Sequence, residues 1–341
     1  MLIKKIYAQM RKILPLAQKD RLTSLLYQSG LKPSVSAKKN PFKIGRLIFS
    51  ADFEMAWAFR FSKQKSIQAV EKGLSERENV PVIVSLLEEF KIPITWATVG
   101  HLFLDHCERV HEKAHPEMPR PVYFENRNWL FDTDDWYRHD PCTNFKKDPA
   151  WYAPDLIDLI LRSKIIHEIG CHTFSHIDFT EKNCPAELAA AEIDRCIKLA
   201  LEMKIQLKSM VFPGGTAGNF KILAEKGFTC YRKVMSHNVD IPYIDEFGLV
   251  AIPSSCGLDK SPYGWPVDTY LKMAHAFFVK AIKSKMVCHF WFHPSLDAWY
   301  LAHVLPGIFE MAAKHRDQGD LEIVTMGALA EKVLQDDKIS H

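Results

Sequence analysis

Two histidines four residues apart, in the run His172-Thr173-Phe174-Ser175-His176, are the side chains of this sequence best placed to do chemistry. A helical turn or a tight loop brings residues at that spacing to one side of the chain. Two neutral imidazoles facing one way suit a single divalent cation, because His nitrogens bind zinc at about 2.0–2.1 Å. A catalytic zinc takes three protein ligands and keeps a fourth position open, so a third ligand must come from elsewhere. Upstream, the apolar run Arg46-Leu47-Ile48-Phe49-Ser50-Ala51 reads as a short buried strand ending in Asp52-Phe53-Glu54. Carboxylates directly after an apolar strand lie where α/β folds gather their chemistry, at the carboxyl ends of strands. On an extended segment Asp52 and Glu54 face the same way, so one could bind a metal while the other moves a proton. Each motif alone has a blander reading, as packed histidines and as a helix cap or ion-pair member. Cys171 precedes His172 but should point away from it, which leaves it outside the ligand set.

In this order, the two segments resemble the motifs of the NodB-homology polysaccharide deacetylases, carbohydrate esterase family 4. The resemblance implies zinc or a similar ion held by one acid and the two histidines of an H-[ST]-x-x-H motif, with a neighbouring Asp as general base. In the common form of the family the two acids are adjacent. Here Phe53 separates them and the second is Glu, which resembles the D-x-D/E variant. By position the resemblance makes Glu54, His172 and His176 the ligands and Asp52 the base. Met210-Val211-Phe212-Pro213-Gly214-Gly215 is similar to the third motif, R-x-P-x-G, but Val211 stands where the family has the Arg that pairs with the catalytic Asp. Arg232, at the end of the next expected strand, is the candidate substitute. Met286 to Pro294 resembles the fifth motif and implies His293 as general acid, with His289 packed inside the strand. The resemblance covers roughly residues 45–330.

Those residues need a scaffold, and from Arg46 onward strand and helix signals alternate. Strands are expected at 46–51, 93–99, 165–171, 208–212, 228–232, 248–252, 286–292 and 321–325. Helices are expected at 79–90, 153–163, 185–204, 219–226, 268–284, 298–315 and 326–335. Such alternation implies an α/β fold with a parallel sheet and outer helices, and motifs at the strand ends make it a barrel. The resemblance sharpens this to the distorted (β/α)7 barrel of NodB-like enzymes. Residues 105–152 break the pattern as an aromatic-rich insertion. Trp129 and Trp136 within it, with Trp57, Trp291 and the turn Pro213-Gly214-Gly215, are the expected substrate-binding set; glycine permits close backbone approach. His101, His106, His111 and His115 recur at a spacing of about five, which drifts around a helix, so solvated side chains are expected.

With 47% hydrophobic and 25% charged residues, the 341-residue chain has an ordinary globular composition. A net charge of +3 and the lack of an aromatic-basic stripe exclude a nucleic-acid partner. Eight cysteines without a C-x-x-C pair or framework spacing suit a reducing compartment, and no stretch reaches the ~18–20 apolar residues of a membrane span. A cytoplasmic protein is expected. Residues 1–44 read as a basic amphipathic segment and linker, and 45–335 as the barrel. Leu2, Ile6 and Met10 share one side of the first helix and Lys4, Lys5, Arg11 and Lys12 add charge; it either packs on the barrel or contacts an anionic membrane face. The function this implies is metal-dependent removal of an N-acetyl group from an amino sugar of a polysaccharide or glycan precursor. The alternatives are a deformylase or other amide hydrolase acting on a lipid-linked or small substrate, and an inactive sugar-binding barrel.

Overall fold

Nine consecutive buried residues, Gly45–Phe53 (β1), make the central strand of the molecule. Unbroken burial marks a strand covered on both faces, as in parallel sheets flanked by helices. In a computed structural model of the protein, residues 15–28, 32–35, 42–132, 135–261 and 264–340 are described. The other strands of the main sheet are Thr95–Thr98 (β2), Glu168–Cys171 (β3), Ser209–Met210 (β4), Cys230–Met235 (β5), Val250–Ser254 (β6) and Val287–Phe292 (β7). These seven pair in parallel, in the order β6-β5-β4-β3-β2-β1-β7, and a two-residue strand, Tyr243–Ile244, pairs antiparallel with β6. The ring closes where the chain leaves β6. Cys256–Gly257 pairs with β7 at Phe290 and Trp291, and Ser255 N–H donates to His289 O at 2.9 Å. An eighth strand, Leu321–Ile323 (β8), runs parallel to the first residues of β1.

Strand alternation decides what enters the barrel. Ile48, Ser50 and Asp52 share one face of β1, Cys230 and Arg232 one face of β5, and Val287, His289 and Trp291 one face of β7. At one end these faces are apolar: Ile48, Ala97, Val211, Cys230, Val250, Ile252 and Val287 cluster with Met326, Leu329 and Ala330 of the last helix, Met326–Ser340, which plugs the barrel. Toward the carboxyl ends the inward residues become polar, with Ser50, Asp52, Arg232 and His289. The opposite face of β1, Leu47, Phe49, Ala51 and Phe53, packs into the larger core beneath the outer helices.

Most expected elements are present, with three differences. The first outer helix runs Ala69–Phe90 rather than from 79, with Pro81 inside it. Pro81 suits a first turn, but the upstream turns are held by packing, and Gly73, Glu76 and Asn79 are buried. The stretch 298–315 is two helices, Ala298–His303 and Leu305–Asp317, broken before Pro306. The expected linker after Pro33 includes a short strand, Ser34–Val35, paired with Asn238–Val239.

Of the N-terminal segment, Leu16–Gln28 is a helix against helix Val267–Ser284, with the Tyr27 and Phe277 rings 5.7 Å apart. Asp20 accepts hydrogen bonds from Trp265 Nε1 (2.6 Å) and Ser261 Oγ (2.8 Å). Leu2, Ile6, Met10 and the basic residues up to Lys12 lie outside the described residues. No helix among the described residues is long and apolar enough to cross a membrane.

The 105–152 insertion carries two minimal hairpins, Arg109–Val110 with Lys113–Ala114 and Phe124–Glu125 with Leu130–Phe131. Its body is aromatic packing: Trp136 stacks on Phe61 at 4.9 Å, and Phe131 meets both rings edge-on. It docks where helix Ala69–Phe90 has no side chain. A Cβ at Gly73 would lie 2.6 Å from Ala150 O and 3.0 Å from Ala56 N. Gly73→Ala should therefore destabilise the protein by about 1–3 kcal/mol, because backbone crowding outweighs the better helix propensity of Ala. Urea titration should show a lower midpoint at an unchanged slope.

Candidate active site

The polar ends of β1, β3, β5 and β7 meet in a cleft of about 550 Å³ floored by Asp52 and Glu54. Directly after β1 the chain turns sharply at Met55, whose φ is 48°. A non-glycine residue in that left-handed region needs support from its surroundings. It comes from Glu76 on the helix Ala69–Phe90, whose Oε2 accepts from both Glu54 N (3.2 Å) and Met55 N (2.9 Å). Burial, and then the neighbouring Glu54 charge, push the Glu76 carboxyl up to about 8.

After β3 the histidine segment is a loop with two left-handed residues, Thr173 (φ 59°) and His176 (φ 54°). A second buried acid clamps it. Glu192 accepts from Ser175 N (2.8 Å) and Ser175 Oγ (2.6 Å), and Trp136 Nε1 donates to the same hydroxyl at 2.7 Å. Glu76 and Glu192 both escaped sequence reasoning.

So clamped, the two loops bring Glu54 Oε2 within 3.1 Å of His172 Nε2 and 3.0 Å of His176 Nε2. The other nitrogen of His172, Nδ1, lies 2.7 Å from Val211 O. A carbonyl only accepts, so Nδ1 carries a proton, and in the neutral imidazole Nε2 turns a lone pair toward the carboxylate. Two acceptors facing each other at that distance require a cation between them, and one acid with two imidazoles is a donor set for a divalent metal. The residues present fit such an ion. Burial would raise the Glu54 carboxyl, but His293, His176 and His172 outweigh it and hold it well below the usual range. Burial pushes His176 down to about 4, which keeps its imidazole neutral at working pH.

Asp52 takes a different partner. Arg232 Nη1 and Nη2 donate to its two oxygens, each at 2.6 Å, and Nη1 also donates to Ser50 Oγ at 3.0 Å. The guanidinium carbon lies 4.9 Å from the centre of the Trp291 ring. Burial raises the Asp52 carboxyl, but Arg232 overcomes it and the net shift is downward. Beneath them His289 is fully buried, with Nε2 at 2.9 Å from Ser50 Oγ and Nδ1 at 3.2 Å from Pro253 O. His293 sits at the rim, its Nε2 3.4 Å from Glu54 Oε1 and its Nδ1 3.8 Å from Asp259 Oδ1.

Of the expected substrate-binding residues, Trp129, Trp291, Gly214 and Gly215 line the cleft. Trp57 and Trp136 do not. They are 0% and 1% exposed, and their indole N–H groups are satisfied inside, by Trp151 O and Ser175 Oγ. Pro213 is also buried, and only its two glycine neighbours reach the wall. The expectation of four solvated histidines fails for two: His106 and His111 are exposed, but His101 and His115 are buried. The segment after residue 103 is not a helix, so helical spacing did not apply.

The sequence matches no family model and no curated protein. Solved structures do match. A protein named a polysaccharide deacetylase from Mycobacterium smegmatis aligns at 17% identity and TM-score 0.58, over 90% of this chain and 96% of that one. Another so named, from Pseudomonas aeruginosa PAO1, gives 13% and 0.55, over 84% and 89%. The chain has the NodB-like barrel fold of the polysaccharide deacetylases. An allantoinase shares this deacetylase barrel at 14% identity and TM-score 0.53, over 90% of this chain and 95% of that one.

Inside the barrel, His289 is held down to about 3 by burial and then by Arg232, below the ~6.5 of an unfolded histidine. The unfolded chain therefore binds a proton that the folded one excludes, and stability falls as pH drops below about 6.5. One such group changes stability by at most about 1.4 kcal/mol per pH unit. His289→Gln, which still meets Ser50, should flatten the pH dependence of the urea midpoint between pH 6.5 and 4.

Proposed function

We propose that the protein is a metal-dependent amide hydrolase that removes the N-acetyl group of an amino sugar in a glycan or glycan precursor. The observation that carries the reading is the convergence of Glu54 Oε2 with the two Nε2 atoms of His172 and His176 beside an Arg-held Asp52. Glu54, His172 and His176 would hold the ion, most simply Zn2+. Such an ion supplies Lewis acidity, polarising a carbonyl and lowering the pKa of water from about 15.7 towards ~7.

The residues of the chain divide the proton work. Asp52 stays ionised beside Arg232 and accepts the proton of the attacking water. Arg232 forks both Asp52 oxygens, which fixes the orientation of the base without taking its charge. His293, whose pKa is lowered by burial but raised overall by Glu54 and Asp259, carries a proton at the rim and donates it to the leaving nitrogen. Trp129 and Trp291 offer flat apolar walls for a sugar ring.

The rim adds a second feature. Lys65, Arg127 and Lys233 line the cleft, and among the described residues the only acids lining it are Asp52 and Glu54 at the floor. That imbalance favours a substrate with negative charge, such as a phosphate-linked glycan precursor. It supports equally a formamido sugar on a lipid phosphate, which is the second reading. A precursor at the inner face of the cytoplasmic membrane would also suit the basic N-terminal residues. Incubating the protein with N-acetyl and N-formyl glycans, free and phosphate-linked, and measuring released acetate and formate decides between them.

If the ligand set is right, His172→Ala with His176→Ala should yield folded protein stripped of metal at that site. Asp52→Asn should keep the ion and lose roughly 10²–10⁴-fold in kcat. Metal analysis and steady-state kinetics read both; loss of the ion from Asp52→Asn but not from Glu54→Gln would reverse the two acids.

Arg232→Met should lower kcat with metal content unchanged, and Arg232→Lys should rescue it poorly, because an ammonium cannot fork two oxygens. Unchanged kinetics in the Met variant would mean that Asp52 is oriented by something else.

A further inference from the structure

We propose that His101, Cys107, His115 and Asp140 hold a second metal ion, a structural zinc that fastens the 105–152 insertion to the barrel. One ligand atom from each of the four lies within 4.8 Å of all the others. His101 belongs to the short helical turn Gly100–Phe103 that follows β2, whereas the other three come from the insertion. The group is thus a bridge between two parts of the chain.

The spacings are those of ligands around one ion. A tetrahedral zinc with ordinary bond lengths sets its nitrogen and oxygen ligands about 3.3 Å apart and a sulfur about 3.6 Å from them. Here His101 Nε2 lies 3.1 Å from His115 Nε2 and 3.0 Å from Asp140 Oδ2, and His115 Nε2 lies 2.9 Å from Asp140 Oδ2. Cys107 Sγ lies 3.8 Å from His101 Nε2 and 3.6 Å from each Asp140 oxygen.

Surrounding contacts aim these atoms inward. His101 Nδ1 faces Trp151 O at 3.3 Å, which places the proton there and leaves an Nε2 lone pair pointing at a carboxylate oxygen. The same pattern occurs at His172 and Glu54. Asp140 Oδ1 is occupied by Cys142 N (2.9 Å) and the Tyr152 hydroxyl (3.2 Å), so Oδ2 is the oxygen presented to the histidines. The Tyr152 hydroxyl accepts from Thr143 N at 2.9 Å and lies 3.2 Å from Cys107 Sγ. With neutral imidazoles, a purely hydrogen-bonded network would have a proton for only one of the contacts among the two Nε2 atoms and the carboxylate oxygen that meet around this point. A metal satisfies all of them. The insertion, whose hairpins are two residues per strand, gains the cross-link that its secondary structure does not supply.

The ion would also bear on the catalytic loop. Phe174, between His172 and His176 in sequence, packs its ring 5.7 Å from His101 and 5.3 Å from His115.

Cobalt substitution tests the proposal on the full-length protein, because only this group contains a thiolate. Co2+-loaded wild type and the His172→Ala/His176→Ala variant should both show a thiolate-to-cobalt charge-transfer band. That double variant should retain one equivalent of zinc after purification, and Cys107→Ser should lose the band. Should Cys107→Ser fail to fold, the wild-type spectrum still decides. Absence of the band in the cobalt wild type, with zinc no higher than one equivalent and none in the double variant, would overturn the second site. Should the catalytic reading fail instead, wild type and double variant would each hold one equivalent and both show the band.

Discussion

Charge placed inside a barrel has to be paired, and the architecture of this protein follows from pairing two carboxylates that are only 4% exposed. Asp52 and Glu54 lie at the end of a strand whose inward Ile48 packs in an apolar cluster with the last helix. Desolvation alone would neutralise both acids. Each remains ionised through a separate arrangement, a guanidinium fork for Asp52 and three imidazoles for Glu54. Those partners arrive from the ends of β3, β5 and β7, so the environment of β1's acids depends on closure of the ring. The break in β6 that lets Cys256–Gly257 pair with β7 is in this sense part of the site.

A second layer of acids works in the opposite direction. Glu76 and Glu192 carry raised pKa values because burial, helped at Glu76 by the Glu54 charge, outweighs the N–H groups they accept from and, at Glu192, the Arg60 charge. They spend their acceptor capacity on the loops after β1 and β3, where Met55, Thr173 and His176 hold left-handed backbone. The floor carboxylate Glu54 and the histidine loop facing it are thus each positioned by a neighbouring buried carboxyl.

Apolar runs ending in polar residues made β1 and β7 legible in the sequence, and helical patterns between the strands marked the outer helices. The Asp-x-Glu and His-x3-His pairs were legible because short-range spacing dictates where they point. Arg232 was inferable as the next strand-end cation, and it meets Asp52 across the barrel. Glu76 and Glu192 were not legible, since a carboxylate that caps another loop's amides leaves no spacing signal. Trp57 and Trp136 misled for a related reason: an indole is amphipathic, and sequence alone does not tell whether its N–H finds water or a partner within. The His101 to His115 series was read with helical periodicity, which fails where the chain folds back in hairpins.

One wall of the cleft is built from segments far apart in the chain. A Cβ at Gly214 would lie 2.7 Å from the Trp129 ring, so the turn after β4 and the insertion meet edge to edge without room for a side chain. The groups at the floor reside at or just past the strand ends, and the opening above them is shaped by longer loops. Selection can therefore reshape which molecule is admitted by lengthening or repacking the insertion, while the machinery below is inherited unchanged. Recognition and chemistry in this barrel are free to evolve at different rates, and kinship in one need not signal kinship in the other.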